Sequence, residues 1–356
     1  MSTKRTAIAL ILLGILLRLA LLIWAKGTLV DDAYISLRYA ANLVHGKGLI
    51  YNQGLHVLST TSPLYTLWVA LLIFVAPRID PGYVMGITNL VFFGLAAWWL
   101  WTLCSAESRR SALLVLIFFC TFIRFVDNTI IGMETTLFMF GMMLSLVLLE
   151  RRRLGWVSLI LALSALVRPE GVFWAGAVSL VALLQGARPK PKQLLPAAIV
   201  AAAWLAFSIP YYGSPIPYTV KAKSGWFVLW ESRGVLARIG HTFSSLALMD
   251  LPDQLRSAGS LLPVQIIVGC ATLVAFCYGV KYLLGRRSVL IAFPLVFLFY
   301  LAFYLLGRAW IDFSWYGIPS GLAYLVTVAF GLEQLGKRLV GRACRESWLK
   351  TAGVAL

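Results

Sequence analysis

Eleven apolar segments, joined by short polar loops, constrain the fold of this chain more than any other feature. They cover residues 7–25, 62–76, 83–104, 111–126, 136–149, 154–167, 171–186, 193–211, 262–284, 288–306 and 316–333. An apolar helix of about 20 residues crosses a bilayer, where every backbone polar group must be bonded internally. Because 60% of the residues are hydrophobic and 13% are charged, the sequence predicts an all-α, polytopic membrane protein that forms a single integral membrane domain over residues 1–356.

Segment 62–76 is short for a span, and whether it crosses decides the side of every later loop. If it crosses, the basic loops at 109–110, 188–192 and 286–287 lie outside, against the positive-inside rule. If it stays at the interface or turns back, the inside holds 18 basic and four acidic residues, and the outside holds 12 basic and ten acidic residues. We therefore predict about ten spans in the plasma (inner) membrane, with both termini in the cytoplasm and short helices on the outer face.

The formal net charge of +17 is also typical of proteins that bind nucleic acid. Here the basic residues form short runs between apolar segments, so we expect the lipid bilayer, and no nucleic acid, as a partner. The five cysteines and three histidines lack metal-ligand spacing. We expect no cofactor; a divalent metal is an open alternative that no residue pattern indicates. Arg18, inside the first apolar segment, must snorkel to the surface or face the bundle interior.

Two adjacent carboxylates, Asp31 and Asp32, follow directly on the first apolar segment. A helix is predicted to start near Ala33, and aspartate is a preferred N-cap residue, so either side chain could simply cap that helix. A carboxylate at the membrane boundary could also bind a cation or act as a general base. These roles can coexist, because a helix N-terminus favours the ionised form of the carboxylate.

The first outer loop is predicted to contain surface helices. Residues 33–44 form an amphipathic pattern in which one helical face carries Tyr34, Leu37, Ala41 and Val44. Ser36 and Asn42 are expected to face elsewhere. A glycine-rich turn ends this helix, and the short apolar helix of segment 62–76 follows it.

The predicted topology brings polar residues from distant loops to the same outer face. They include Asp31, Asp32, Asp127, Glu134, Glu170, Asp250, Asp253 and Asp312, together with Arg124, Arg168, Lys221, Lys223 and Arg308. Glu134 alone is equally well explained as a first-turn acid that complements a helix dipole. Arg168 and Glu170 lie in a tight turn between two apolar segments. Burying both charges there is costly without a task, so we predict a functional site.

A carboxylate, several cations and aromatic rings on one membrane face suit transfer of a sugar from a lipid-linked phosphate. Cations hold the phosphate as it leaves, and the carboxylate takes the proton of an acceptor hydroxyl. Trp310, Trp315 and Tyr316 can pack on the lipid or the sugar. One base and in-line displacement imply inversion at the anomeric carbon. The alternative is a transporter or flippase for lipid-linked sugars, but such proteins usually place charges near the midplane, on paired broken helices.

Several motifs occur in an order that is typical of one superfamily. They are Asp31-Asp32-Ala33-Tyr34-Ile35, Gly48-Leu49-Ile50-Tyr51-Asn52, Thr61-Ser62-Pro63-Leu64, Gly132-Met133-Glu134-Thr135, Arg168-Pro169-Glu170-Gly171 and Tyr211-Tyr212-Gly213, followed by Ala222-Lys223. Together they resemble the GT-C glycosyltransferases that use polyprenyl-phosphate sugars. The resemblance is nearest to bacterial arabinofuranosyltransferases, and more distant to protein O-mannosyltransferases and lipid A aminoarabinose transferases.

The resemblance implies a catalytic module over residues 1–225, followed by an outer loop and C-terminal membrane helices over 226–356. It implies that Asp31 or Asp32 is the catalytic base, with Asp31 favoured, and that Arg168 and Lys223 lie near the donor phosphate; Lys221 is an alternative for that lysine. The other residues predicted to bind substrate are Glu134, Glu170, Tyr211, Tyr212, Arg308 and Tyr316. The partners implied are a polyprenyl-phosphate sugar and a hydroxyl acceptor on a cell-envelope glycan, lipid or protein.

Overall fold

The structure, a computed structural model, describes residues 3–219, 235–247, 262–306 and 314–353. Within these ranges the chain is helical and contains no β-strand, as predicted. The helices are α1 (Thr3–Trp24), α2 (Asp31–Val44), α3 (Pro63–Val75), α4 (Pro81–Glu107), α5 (Arg109–Thr121), α6 (Ile123–Ile130), α7 (Thr135–Glu150), α8 (Leu154–Val167), α9 (Gly171–Leu184), α10 (Pro191–Tyr212), α11 (Val235–Leu246), α12 (Leu262–Arg286), α13 (Ala292–Leu306) and α14 (Ser314–Gly353). A short 3-10 turn, Val289–Ile291, precedes α13.

Six helical stretches of the described chain are long and apolar enough to cross a membrane, so this is a multi-pass membrane protein. They are α1, α4, α10, Ile266–Arg286, Val289–Leu306 and Trp315–Val340. The pair α5 and α6 makes a seventh if it is counted as one bent span. Helices α3, α7, α8 and α9 have 13 to 16 residues, or about 20–24 Å of length. This is less than the hydrocarbon thickness of about 30 Å, so the predicted count of about ten spans is not confirmed.

The apolar segment 111–126 is not the continuous helix that its hydropathy predicts. It is broken at Phe122, where α5 and α6 meet at 52°. A break of this kind removes the partners of the last carbonyl groups of α5, because the next turn of helix no longer follows. In an apolar bundle those carbonyl groups must be bonded in another way.

Arg18 of α1 bonds the carbonyl groups at this break. The side chain is fully buried, with its guanidinium carbon 3.6 Å from the ring centroid of Phe93. It donates to the carbonyl oxygens of Cys120 (2.7 Å), Phe119 (3.0 Å) and Gly14 (3.1 Å), and to Oγ1 of Thr129 (3.1 Å). Arg18 therefore faces the interior of the helix bundle and does not snorkel to the surface.

We expect Arg18→Met to lower the stability of the protein by about 2–4 kcal/mol, because two buried carbonyl groups at the break lose their donor. Thermal unfolding in detergent, followed by helical circular dichroism, measures the loss. Leu16→Met is the matched control, since Leu16 lies on the same helix and is 60% exposed. A melting temperature of Arg18→Met equal to that of the control would contradict the bonding role.

The largest apolar core lies where α4, α5, α7, α9, α13 and α14 meet. Helices α12 and α14, which both contribute side chains to this core, pack closely against each other through glycines. A Cβ atom at Gly279 would lie 2.0 Å from the carbonyl oxygen of Thr327, and one at Gly331 would lie 1.7 Å from that of Ala275. Small residues at such crossings let helix backbones approach closely. This packing fixes α14, whose first turn carries Trp315 and Tyr316.

The segment between α1 and α4, called the first loop below, contains two short helices, α2 and α3, as predicted, but the buried face of α2 differs from the predicted one. Tyr34 is 53% exposed, whereas Ser36 and Asn42 are buried. The Asn42 amide donates to the carbonyl oxygens of Ile50 (2.8 Å) and Tyr51 (3.0 Å). These polar side chains face inward because they bond the folded loop, which a count of apolar positions does not register.

Candidate functional site

A cavity of about 660 Å³ lies where the first loop meets the connections between the later helices. Its charged lining residues are Asp32, Glu134, Arg168 and Glu170, and the hydroxyl-bearing residues 59–62 form another part of its wall. Aromatic and aliphatic side chains form the rest of the lining, and the aromatic ones are Phe173, Trp204, Phe303, Tyr304, Trp315 and Tyr316. The cavity thus combines polar groups from loops that are far apart in the chain.

The two adjacent carboxylates of α2 have different surroundings. Asp32 is half-buried and lines the cavity, whereas Asp31 is exposed and does not line it. The N-cap residue is Val30, so both aspartates lie in the first turn of the helix and neither occupies the N-cap position. The Asp31 carboxylate instead accepts a hydrogen bond from the Asp32 amide at 2.9 Å. The geometry therefore favours Asp32, and not Asp31, as the residue that meets a ligand.

Glu134 lies in the connection between α6 and α7, and buried polar groups hold this connection in place. Tyr65 donates its hydroxyl proton to the carbonyl oxygen of Gly132 at 2.9 Å, and the Asn89 amide donates to that of Met133 at 3.0 Å. Neither Tyr65 nor Asn89 was predicted from the sequence to support the site. Asn89 could have been found from the sequence, because it is a lone amide side chain in the apolar segment 83–104. Such a side chain is costly to bury in a membrane helix unless it has a hydrogen-bond partner.

The same connection also bonds the start of α2. The amide of Val30 donates to the carbonyl oxygen of Ile131 at 3.1 Å. Gly132 has a φ of +81°, and a Cβ atom there would lie 2.3 Å from Leu29. A glycine is therefore required at this contact. The result is that the segment bearing Asp32 and the segment bearing Glu134 are held against each other.

Arg168 lies in the cavity wall, between two carboxylates. Its Nη1 donates to Oε1 of Glu134 at 2.9 Å and to Oγ1 of Thr135 at 3.2 Å, and its Nη2 donates to Oε1 of Glu170 at 3.2 Å. Arg168 is 1% exposed, and Glu134 and Glu170 are 5% and 7% exposed. The predicted Arg168–Glu170 pair is present, and Glu134 joins it from a different loop.

Burial and charge act in opposite directions on this cluster. Burial raises the pKa of the Glu134 carboxyl, and the Arg168 guanidinium opposes that rise. Burial lowers the pKa of Arg168, but Glu170 and Glu134 outweigh it and raise the pKa above its ordinary value. Arg168 is therefore cationic at every physiological pH, and its charge is already matched by two acids.

The predicted aromatic contributors divide into two groups. Tyr316 lines the cavity, with its ring centroid 5.7 Å from the guanidinium carbon of Arg168. Tyr211 and Tyr212 do not line it. Tyr212 is buried and donates its hydroxyl proton to the carbonyl oxygen of Leu49 at 2.6 Å, and the ring of Tyr211 packs on that of His56. These two tyrosines anchor the first loop to α10, and neither is part of the cavity wall.

Comparison with known proteins does not identify a family for this chain. No protein-family model and no curated protein matches this chain.

Lys221, Lys223 and Arg308, which the sequence analysis assigned to substrate binding, lie outside the described residues, as does Trp310. The first described range ends at Thr219, which lines the cavity, and Lys221 and Lys223 follow it in the sequence. Within the described ranges, no three His, Cys, Asp or Glu side chains are grouped as metal ligands would be. Arg168 is the one basic side chain among the described residues of the cavity wall.

Proposed function

We propose that the protein is an inverting glycosyltransferase that moves a sugar from a polyprenyl-phosphate donor to a hydroxyl group of a cell-envelope glycan, lipid or protein. The observation that carries the proposal is the cavity that Asp32 lines together with the Glu134–Arg168–Glu170 cluster. The cavity has a volume of about 660 Å³ and is lined by a carboxylate and aromatic rings. This size and this chemistry suit one sugar and its phosphate.

In the proposed reaction, the oxygen of the acceptor hydroxyl attacks the anomeric carbon of the donor sugar. The bond from that carbon to the phosphate oxygen breaks, and the polyprenyl phosphate leaves with the bonding electrons. Asp32 takes the proton of the acceptor hydroxyl as the new bond forms. A single displacement inverts the anomeric centre. Phosphate is a good leaving group, so this mechanism needs no general acid.

The remaining groups of the donor match other parts of the site. The aromatic rings of Trp315 and Tyr316 offer flat apolar faces to the sugar. Following the family resemblance, we assign the phosphate to Lys221 or Lys223, which come directly after the lining residue Thr219 in the chain. Charge developing on the phosphate as it leaves is stabilised by such cations. We place the site on the outer face of the plasma membrane, as the distribution of basic residues favours.

The positions of the charged residues favour an enzyme over a transporter of lipid-linked sugars. Asp32 lies in the first turn of α2, Glu134 precedes α7, and Arg168 and Glu170 occupy the turn between α8 and α9. All four therefore lie at helix ends. On the topology that the distribution of basic residues favours, these ends lie at the outer face, whereas transporters typically place such charges near the bilayer midplane.

Incubation of the purified protein with a panel of polyprenyl-phosphate sugars and short envelope glycans tests the proposal. We expect one donor to be consumed, with release of polyprenyl phosphate and a product of opposite anomeric configuration. Mass spectrometry detects the product, and its proton NMR coupling constant gives the configuration. Retained configuration would exclude single displacement. Passage of intact donor across the bilayer of proteoliposomes, without consumption, would favour a flippase instead.

A further inference from the structure

The end of the helix bundle opposite the cavity is strongly basic. Helices α7, α8 and α9 each have one end at the cavity, so the α7–α8 and α9–α10 connections lie at their other ends. These connections, residues 150–154 and 184–192, are joined there by the α12–α13 connection, residues 286–289. The three segments together contain eight basic residues and one acidic residue, Glu150.

Gln185 links the three connections. Nη2 of Arg152 donates to the carbonyl oxygen of Gln185 at 3.2 Å, and the side-chain amide of Gln185 donates to the carbonyl oxygen of Arg287 at 3.0 Å. Arg152 follows α7, Gln185 follows α9 and Arg287 follows α12. Two exposed arginines from distant parts of the chain are therefore held beside the same glutamine.

Both of these arginines have an unusual backbone conformation. Three residues other than glycine have a positive φ in the described part of the chain, and two of them are Arg152, at +55°, and Arg287, at +52°. A glycine is the usual residue for this conformation after a helix, and Gly186 occupies it after α9, with a φ of +72°. An arginine keeps backbone strain that a glycine would relieve, and such strain is typical of positions with a task.

Neighbouring acids do not use up the charges of these two arginines. Glu107 of α4 pairs with Arg286 at 3.3 Å, and Glu333 of α14 pairs with Lys337 at 2.7 Å. No ion pair within the described ranges includes Arg152 or Arg287. The two guanidinium groups can therefore meet an anion from outside the chain.

Exposed apolar side chains lie next to the same residues. Leu183 and Leu184, just before Gln185, are 59% and 54% exposed, and Leu284, in the last turn of α12, is 48% exposed. In a multi-pass membrane protein, exposed leucines face acyl chains, and basic side chains beside them reach the level of the lipid phosphates. The bridge thus lies where acyl chains and headgroups meet.

We infer that Arg152, Gln185 and Arg287 form a binding site for the headgroup of an anionic phospholipid, whose acyl chains lie along α9 and α12. A guanidinium group donates charge-assisted hydrogen bonds to phosphate oxygens, and it binds them with a fixed geometry. Basic pockets between membrane helices bind anionic headgroups in this way. The site goes beyond the proposed function and does not depend on sugar transfer.

Native mass spectrometry of the full chain in detergent tests the inference. The probes are phosphatidylglycerol, which is anionic, and phosphatidylcholine with the same acyl chains, which carries no net charge. We expect the wild-type protein to bind phosphatidylglycerol roughly tenfold more tightly than phosphatidylcholine. The double variant Arg152→Gln, Arg287→Gln should lose this preference, because glutamine keeps a polar side chain but removes the charge.

The double variant Arg109→Gln, Arg110→Gln is the matched control. It removes two exposed basic residues from the same end of the bundle, next to Glu107, but outside the bridge. It should keep the wild-type preference. An equal loss in both double variants would indicate a diffuse basic surface and overturn the inference. So would a wild-type protein without preference, or displacement of the lipid by an equal concentration of glycerophosphoglycerol, which has the headgroup but no acyl chains.

Gln185→Ala tests the site without removing either charge. It deletes the side-chain donor to Arg287, and we expect the preference for phosphatidylglycerol to fall roughly threefold as the two arginines lose their common anchor. Helical circular dichroism verifies that each variant is folded. If the bridge double variant does not fold, Gln185→Ala decides the question, and an unchanged preference in it would overturn the inference.

Discussion

Asp32→Asn is expected to slow sugar transfer about 1,000-fold, within the range that a lost general base usually costs. The amide has the shape of the carboxylate but cannot take the proton of the acceptor hydroxyl. Donor binding should change little, because the proton is transferred only as the new bond forms. Single-turnover rates measured with a saturating donor separate the two effects.

Asp31→Asn is the matched control for this prediction. It removes one carboxylate from the same helical turn, but Asp31 is exposed and does not line the cavity. We expect its transfer rate to stay within about tenfold of wild type, as substitution of a group without a role in proton transfer allows. Full activity in Asp32→Asn, or a larger loss in Asp31→Asn, would assign the base to another residue.

Arg168→Met is expected to destabilise the protein by about 3–5 kcal/mol, the usual cost of removing one partner from a buried ion pair. The variant leaves Glu134 and Glu170 buried without their cation. Thermal unfolding in detergent measures the loss. The triple variant Arg168→Met, Glu134→Gln and Glu170→Gln carries no buried charge at this position, so it should recover most of the stability. A melting temperature of Arg168→Met equal to wild type would show that the clamp contributes nothing.

The deficit of Arg168→Met should shrink as the pH falls. Burial already raises the pKa of Glu134, and Arg168 is the largest opposing influence. Its removal raises that pKa further. When the pKa of a carboxyl is higher in the folded state than in the unfolded state, the group does not destabilise the fold at a pH below its unfolded-state pKa. The protein loses stability as the pH rises through the folded-state pKa. Melting temperatures measured from acid to neutral pH should therefore diverge from wild type as the pH increases.

Hydropathy located the helices well but did not determine how many of them span the bilayer. Segment 193–211 corresponds to α10, and segment 154–167 has the bounds of α8. Both agree because hydropathy is a local property of the chain. The break at Phe122 was not predicted, since it depends on Arg18 of another helix bonding the carbonyl groups that the break releases. The number of spans stays open because apolar runs of about 15 residues form helices that are shorter than the hydrocarbon thickness.

The sequence by itself determined that this chain is a helical, multi-pass membrane protein, and it identified Asp31, Asp32, Glu134, Arg168, Glu170 and Tyr316 as candidates. Ionisable residues in such an apolar chain are few and costly, so they stand out without any structure. Only the tertiary structure decided that Asp32 lines the cavity and Asp31 does not, that Glu134 joins the Arg168 cluster, and that Tyr211 and Tyr212 face the first loop. These outcomes depend on the direction of each side chain and on contacts between residues far apart in the chain. The packing of whole helices sets these directions and contacts, and no local sequence pattern encodes that packing.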